Sequence, residues 1–179
     1  MSNNWEMVIG LEVHAQLKTS SKLFSSSPNL FGSEPNENVN FIDSGMPGML
    51  PVINWACIEK AIKTGFALNF TINKHSVFER KNYFYPDLPQ GYQISQFEFP
   101  ILSEGYLEID RPDGSAKKIR IERAHLEQDA GKSIHDIDPK FSFIDLNRVG
   151  TPLLEIVSYP DLSSADDVVN YMSSLRQTL

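Results

Sequence analysis

Apolar and polar residues alternate almost without interruption between positions 5 and 18 of the chain. Every odd-numbered position in this stretch is apolar, whereas Glu12 and His14 occupy even-numbered positions. Successive side chains of a β-strand point to opposite faces of its sheet. The pattern therefore predicts a half-buried strand over 5–18, with Glu12 and His14 next to each other on the polar face.

Four later segments also have strand patterns, and a Pro-Asp-Gly sequence within 111–115 predicts a hairpin turn between the first two. Strands that follow one another with few helices between them favour antiparallel pairing. We therefore expect an α+β fold with a mainly antiparallel sheet and flanking helices. The four segments are 106–110, 117–126, 141–147 and 153–158.

Apolar residues recur at helical spacing after Asn54, a residue type that caps helix N-termini. The predicted apolar face of this first helix consists of Trp55, Ile58, Ile62 and Phe66.

A second helix is predicted near the end of the sequence, with Ser163 or Ser164 as its N-cap. Asp166 and Asp167 in its first turn complement the helix dipole. The sequence reaches Leu179 without a C-cap signal, so we expect this helix or its domain to continue further. Its apolar side is predicted to consist of Val168, Tyr171, Met172 and Leu175.

The composition is that of an ordinary soluble globular protein, with 179 residues, 41% of them hydrophobic and 22% charged. No apolar run is long enough to span a membrane, and Cys57 is the only cysteine, which together favour a cytoplasmic location. A net charge of −7 argues against nucleic-acid binding by this chain alone and suits a site that gathers carboxylates.

Carboxylates and histidines lie at matching positions in several predicted strands. If the strand at 117–126 extends a little further, His125, Glu127 and Asp129 share one face. Asp145 and Glu155 supply carboxylates in two later strands.

Buried carboxylates without partners cost several kcal/mol, and a shared divalent cation would compensate for them. Oxygen ligands favour Mg²⁺ or Mn²⁺ over zinc. Each segment taken alone is more typical of a solvated or ion-paired strand face, but their joint occurrence favours a metal site.

Two cations are candidates for contacts with phosphate. The sequence Gly131-Lys132-Ser133 does not form a P-loop, because position 126 is Leu where that motif needs glycine. Lys132 is either a point charge for phosphate or an exposed lysine. Arg148 is either a phosphate clamp or the partner of Asp145, and its spacing favours the partner.

The segment 80–96 combines two cations with four aromatic residues and three glutamines. Aromatic rings beside cations can stack on bases, which makes this segment a candidate nucleotide-binding surface. The alternative is that the aromatic residues 83–85 pack in the core, and we expect at least one of them to do so. The candidate cofactor-binding residues are Arg80, Lys81, Asn82, Tyr83 and Tyr85.

Four blocks of the chain together resemble the B subunit of the Asp/Glu-tRNA amidotransferases, the GatB/GatE family. They lie at 8–14, 80–96, 125–133 and 145–156 and occur in the family's order. The resemblance implies a glutamine synthetase-like catalytic "cradle" domain. Full-length members are much longer, so residues 1–179 are expected to be the N-terminal part of that single domain, with helical and tail domains downstream.

The resemblance also implies an activity. ATP would phosphorylate the side-chain carboxylate of Glu-tRNA(Gln) or Asp-tRNA(Asn), and ammonia released from glutamine by an amidase A subunit would then amidate it. A small C subunit would complete a heterotrimer, and the isolated fragment is expected to be inactive.

The resemblance places Mg²⁺ ligands at Glu12, His14, Glu127 and Glu155. Where many relatives have Glu, this chain has Gln128, but strand alternation predicts that position 128 faces away from the metal. Together with the strand pattern, this gives the candidate metal ligands as Glu12, His14, Glu127, Asp129 and Glu155, and the candidate catalytic residues as Glu12, Glu127, Lys132 and Arg148.

Two other functions would use the same residues. A stand-alone ATP-dependent carboxylate–amine ligase would share the carboxylate cluster but would need neither tRNA nor an amidase partner. A non-catalytic module that binds tRNA or a subunit would need no metal site.

Overall fold

The computed structural model describes residues 5–111 and 113–179, and within these ranges it contains two helices and nine strands. The helices are α1 (Trp55–Ala67) and α2 (Ala165–Thr178). The strands are β1 (Glu12–Gln16), β2 (Thr71–Ile72), β3 (Glu79–Asn82), β4 (Tyr92–Ser95), β5 (Leu102–Asp110), β6 (Ala116–Gln128), β7 (Lys132–Asp138), β8 (Phe141–Asp145) and β9 (Pro152–Ser158).

Five of the strands form one antiparallel sheet in the order β1-β9-β6-β5-β2. The other four form two separate hairpins, β3–β4 and β7–β8. The hairpin predicted at 111–115 connects β5 to β6, with Arg111 N donating to Ser115 O; residue 112 lies outside the described residues. The expected α+β class with a mainly antiparallel sheet is confirmed.

The core lies on the apolar face of this sheet. Leu126 of β6 and Leu154 and Ile156 of β9 are fully buried, as is Tyr171 of α2. Residues 152–158 are buried except for Glu155, which is half-buried. Alternation along β9 thus puts Glu155 on the face opposite Leu154 and Ile156.

Both predicted helices are present, and both predicted caps are confirmed. The Asn54 side chain accepts from Ala56 N, and Ser164 accepts from Asp167 N. On α2, Tyr171 and Leu175 are buried as expected, whereas Met172 is 40% exposed.

The predicted apolar face of α1 is partly wrong. Trp55 and Phe66 are exposed, and the residues buried against the sheet are small ones, Cys57, Ala61 and Gly65. The small residues let the helix come close, because a Cβ added at Gly65 would lie 2.6 Å from a side-chain carbon of Leu102.

The first strand is shorter than the predicted 5–18. Trp5 and Met7 are exposed, and before β1 only an isolated bridge joins Ile9 to Leu162. The partner strand β9 ends at Ser158, whose hydroxyl rather than its backbone accepts from Leu11 N. The apolar–polar alternation therefore extends beyond the residues that β9 can pair with.

Among the described residues, no helix is both long and apolar enough to span a membrane.

Candidate functional site

The centre of the site is a row of three side chains on neighbouring strands. In the sheet register His14 of β1 lies opposite Glu155 of β9, and Glu155 lies opposite His125 of β6. Residues directly opposite each other in antiparallel strands share a face. Glu127, two residues after His125, lies on the same face of β6.

These four side chains alternate imidazole and carboxylate. His14 Nε2 is 2.9 Å from Glu127 Oε1 and 3.6 Å from Glu155 Oε2. His125 Nε2 is 3.0 Å from Glu155 Oε2 and 3.8 Å from Glu127 Oε2. Each carboxylate therefore lies between two imidazoles.

The pKa values of the inner pair reflect this arrangement. Burial is the largest influence on His125 and disfavours its charged form, but the polar and charge interactions with Glu127 and Glu155 together outweigh it and raise the pKa of His125. The hydrogen bond from His125 lowers the pKa of Glu155 against the opposing effect of burial. Both shifts favour an ionised carboxylate beside a protonated imidazole.

Glu127 is the buried member of the carboxylate pair, and the Ser95 hydroxyl donates to its Oε2 at 3.2 Å. Its neighbour Gln128 instead donates to the Tyr92 carbonyl at 3.4 Å and does not line the site cavity. Strand alternation therefore identified which of the two adjacent positions enters the cluster.

One ligand atom from each of His14, Glu127 and Glu155 lies within 4.8 Å of the other two, and this is the one such group found among the described residues. Two carboxylates and one imidazole form an oxygen-rich donor set that suits Mg²⁺ or Mn²⁺. The chemistry of these donors fits the expected cation.

A cavity of about 410 Å³ opens beside the cluster. Its lining carries both signs of charge, with carboxylates from β1, β3, β6 and β9 and cations from β3 and β6. Gln96, which is 1% exposed, also lines it. The lining residues include Glu12, Arg80, Lys81, Arg123, Glu127 and Glu155.

Two other predicted metal ligands lie at the edge of this arrangement. Glu12 is exposed and lines the cavity, but it is not part of the three-residue group. Asp129 lies beyond the end of β6, 3.2 Å from Arg148 Nε. Burial raises the pKa of Asp129, and Arg148 and His14 oppose that rise.

The predicted partnership of Arg148 with Asp145 is wrong. Arg148 instead donates to the carbonyls of Ala130 and Gly131 and pairs with Asp129. Asp145 accepts from Asn36 N at 3.2 Å, in the loop before α1, and so lies away from the other carboxylates. The register explains this, because β8 pairs only with β7 and lies outside the main sheet.

Lys132 is an exposed residue at the start of β7, opposite Asp145 in the hairpin register. It does not line the cavity beside the cluster.

The candidate cofactor-binding residues divide into two groups. Arg80 and Lys81 line the cavity, with the Arg80 guanidinium 4.7 Å from the centre of the Tyr92 ring. Tyr83 is half-buried and donates to Asp87, while Tyr85 is exposed. Neither these residues nor Asn82 lines the cavity.

The expectation that at least one of the aromatic residues 83–85 packs in the core is wrong. Phe84 and Tyr85 are largely exposed, and Tyr83 is only partly covered. The β3–β4 hairpin forms a sheet of its own, which leaves the aromatic residues of the loop between its two strands on the surface.

Sequence reasoning missed five residues of the cavity. Glu79 begins β3, Ser95 ends β4, Gln96 and Phe97 follow β4, and Arg123 lies on β6 two residues before His125. The even spacing of Arg123, His125 and Glu127 was a usable signal for the shared face, although the strand has a bulge between Ile121 and Arg123. Gln96 had no comparable signal, because its position depends on how the β3–β4 hairpin lies over β6.

Comparisons with known proteins agree with the resemblance of the motifs. Residues 7–179 match the family described as "GatB/GatE catalytic domain". The chain is 60% identical over 176 residues to the B subunit of the aspartyl/glutamyl-tRNA(Asn/Gln) amidotransferase of Dinoroseobacter shibae, covering 98% of this chain and 35% of that protein. The corresponding proteins of Caulobacter vibrioides and Rickettsia bellii are each 57% identical over 178 residues, and the match covers 36% and 37% of their respective lengths. The chain thus spans about a third of the length of the curated relatives it matches.

Proposed function

The chain belongs to the GatB/GatE catalytic domain family, and from that premise we propose that it is the phosphorylating part of a tRNA-dependent amidotransferase. The substrates would be Glu-tRNA(Gln) and Asp-tRNA(Asn), as the names of its relatives suggest. The observation that carries the proposal is the His14, Glu127 and Glu155 cluster beside a cavity lined by cations.

The proposed reaction has two steps. A side-chain carboxylate oxygen of the aminoacyl group attacks the γ-phosphorus of ATP, the bond from that phosphorus to the bridging oxygen breaks, and ADP leaves. Ammonia then attacks the acyl carbon, which releases phosphate and, after loss of a proton, gives the amide. Phosphoryl transfer of this kind depends mainly on positioning and on neutralising charge.

His14, Glu127 and Glu155 would hold Mg²⁺ or Mn²⁺. Glu12, which lines the cavity, and Asp129, which follows β6, are the further candidate ligands. The bound cation would neutralise charge on the phosphates. Arg123 and Lys81 on the cavity wall would hold anionic oxygens, and Arg80, fixed against Tyr92, would do the same.

The remaining candidate residues take secondary parts in this proposal. Lys132 is exposed and free to reach a ligand that lies over the β7–β8 hairpin. Arg148 stabilises the turn after β6 through the carbonyls of Ala130 and Gly131, which would position Asp129. Asn82, Tyr83 and Tyr85 lie outside the cavity and would contact nucleotide or tRNA at the surface.

The proposal extends to parts of the protein beyond this chain. Residues 1–179 would be the N-terminal part of a single glutamine synthetase-like cradle domain, with helical and tail domains following it. Glutamine would be the ammonia donor, hydrolysed by an amidase A subunit, and a small C subunit would complete a cytoplasmic heterotrimer.

The experiment that tests this function is ADP release by the full-length complex, with each mischarged tRNA supplied in turn. We expect ATP turnover to depend on the mischarged tRNA. ATP turnover that proceeds with a free amino acid and ammonia but not with tRNA would instead identify a stand-alone carboxylate–amine ligase. Binding of tRNA without any ATP turnover would identify a non-catalytic module.

A further inference from the structure

Unpartnered polar atoms are concentrated at one place in the molecule. Within residues 5–111 and 113–179, four buried side-chain nitrogen or oxygen atoms have no hydrogen-bond partner. Three belong to side chains that line the cavity beside the cluster, namely Gln96 Nε2, Arg123 Nε and His125 Nδ1, whereas the fourth is the Tyr171 hydroxyl on α2. Buried polar groups nearly always have partners, so this concentration indicates a missing ligand.

The Gln96 side chain is held in a defined orientation. Its Oε1 accepts from Leu126 N at 3.2 Å, which leaves the amide nitrogen as the end without a partner. An amide nitrogen can only donate. The missing partner of Gln96 is therefore a hydrogen-bond acceptor.

Arg123 also lacks a hydrogen-bond acceptor, in its case for Nε–H. Its Nη1 donates to Glu122 at 2.8 Å, and its guanidinium lies 5.4 Å from the centre of the Phe97 ring, so two contacts fix the group while Nε–H stays free. Arginine also offers only donors.

The charged residues that line the cavity indicate the chemical class of the ligand. Arg80 and Lys81 line it together with Arg123, so three cations border the same cavity as the Gln96 amide. Donors near cations select an oxyanion, and several donors suit the three oxygens of a phosphoryl group. The nearby Glu127 and Glu155 would repel such a group unless a cation lay between them.

We propose that Gln96 and Arg123 form a phosphoryl-binding subsite in this cavity, beside the carboxylate cluster. The inference rests on the proposed function, because a cation bound by the cluster would have to bridge the carboxylates and the phosphoryl oxygens. Gln96 supplies an amide N–H and Arg123 supplies Nε–H, and both are positioned before the ligand arrives.

Two substitutions test the subsite with little disturbance of the fold. Gln96→Glu keeps an acceptor for Leu126 N but replaces the free donor with a negative oxygen. Arg123→Lys keeps the positive charge and removes Nε–H. Gln177→Glu and Arg176→Lys, on the exposed end of α2, make the same chemical changes away from the cavity.

Calorimetric titrations with Mn²⁺ alone, then with inorganic phosphate or adenylyl imidodiphosphate in the presence of Mn²⁺, separate the two sites. We expect Gln96→Glu and Arg123→Lys to bind both phosphoryl probes about tenfold or more weakly, while Mn²⁺ binding is not weakened and the control variants match the parent. An effect on the nucleotide analogue alone would also support the subsite and would assign it to nucleotide phosphate.

Two results would overturn the inference. The first is a parent chain that binds Mn²⁺ but neither probe. The second is a pair of cavity variants that bind both probes as tightly as the parent. A parent that binds no Mn²⁺ would instead contradict the proposed function as well as the subsite that depends on it.

Discussion

At the scale of single residues, the site is determined by which side chains strand alternation brings to one face. Spacing predicted that His14, Glu127 and Glu155 lie on the polar faces of strands, and the family resemblance named them, with Glu12, as metal ligands. The structure brings these three side chains together. Gln96 was not predicted, because its position depends on a tertiary contact with β6. Arg123 was missed although its spacing from His125 and Glu127 indicated the shared face. The two-residue alternation along a strand predicts which face of the sheet a side chain occupies, but it does not predict which other segments pack against that face.

The buried carboxylate of Asp167 gives a residue-scale prediction about pH. Hydrogen bonds from Lys117 and Arg111 hold its pKa well below the usual range. A carboxyl group with a depressed pKa in the folded state stabilises the fold above its unfolded pKa of about 3.9, and this stability is lost as pH falls through the folded pKa. Asp167→Asn should therefore lower the free energy of unfolding at pH 7 by about 2 kcal/mol.

Urea unfolding of the parent and of Asp167→Asn, compared between pH 7 and pH 2.5, checks this prediction. The difference between the two proteins should be constant from pH 7 to about pH 5 and should shrink below about pH 4. Asp166→Asn is the matched control on the exposed side of the same helical turn. A stability difference between parent and variant that grows as the pH falls would show that the folded-state pKa of Asp167 is not depressed.

At the scale of elements, the sequence predicted the central strands of the main sheet well and the separate hairpins only in part. The predicted segments 106–110, 117–126 and 153–158 lie within β5, β6 and β9, whereas the prediction for 141–147 runs two residues past β8, which ends at Asp145. The missed strands are β2, β3, β4 and β7. The strands β3 and β7 are mostly exposed and rich in charged residues, and β2 and β4 have only two and four residues, so no apolar period identifies them. Strand length was also misjudged for β1, because pairing ends with its partner β9 rather than with its own pattern.

Glycine at position 65 lets α1 approach β5, and glycine at position 105 lets β5 approach the segment that follows α1. A Cβ at Gly105 of β5 would lie 2.8 Å from the carbonyl oxygen of Leu68 and 2.7 Å from the Phe70 ring. We expect Gly105→Ala to destabilise the fold by about 1–3 kcal/mol, because the backbone beneath it must shift.

Thermal and urea unfolding measure the cost of Gly105→Ala. The matched control is Gly10→Ala, where the new Cβ would meet its nearest neighbour at an ordinary distance of 3.6 Å. If both variants lost the same stability, the cost would come from the altered glycine backbone rather than from crowding against Leu68.

At the scale of the whole molecule, the cluster joins distant parts of the chain. Its residues come from β1, β6 and β9, so positions 14, 127 and 155 meet only when the central sheet is complete. The fold class was predictable because hairpin and strand patterns are local. The arrangement of β3–β4 and β7–β8 outside the main sheet was not, because it depends on contacts between distant segments.

The length and the charge of the chain lead to a prediction about activity. The chain spans about a third of its relatives' length, and it carries a net charge of −7, which disfavours binding to the phosphates of tRNA. We expect residues 1–179, mixed with an amidase A subunit, ATP and mischarged tRNA, to form no amidated aminoacyl-tRNA. Amide formation at the rate of the full-length complex would show that the chain needs no further domain.

The proposed phosphorylation step requires that the cluster of His14, Glu127 and Glu155 binds a divalent cation. The decisive measurement is the Mn²⁺ affinity of the chain by isothermal titration calorimetry, with Glu127→Gln, Glu155→Gln and Glu108→Gln compared with the parent. Glu108 is an exposed carboxylate on β5 of the same sheet and serves as the control. We predict one Mn²⁺ site that weakens about 100-fold in the two cluster variants and is unchanged in Glu108→Gln. Equal Mn²⁺ affinity in all four proteins would contradict the central claim.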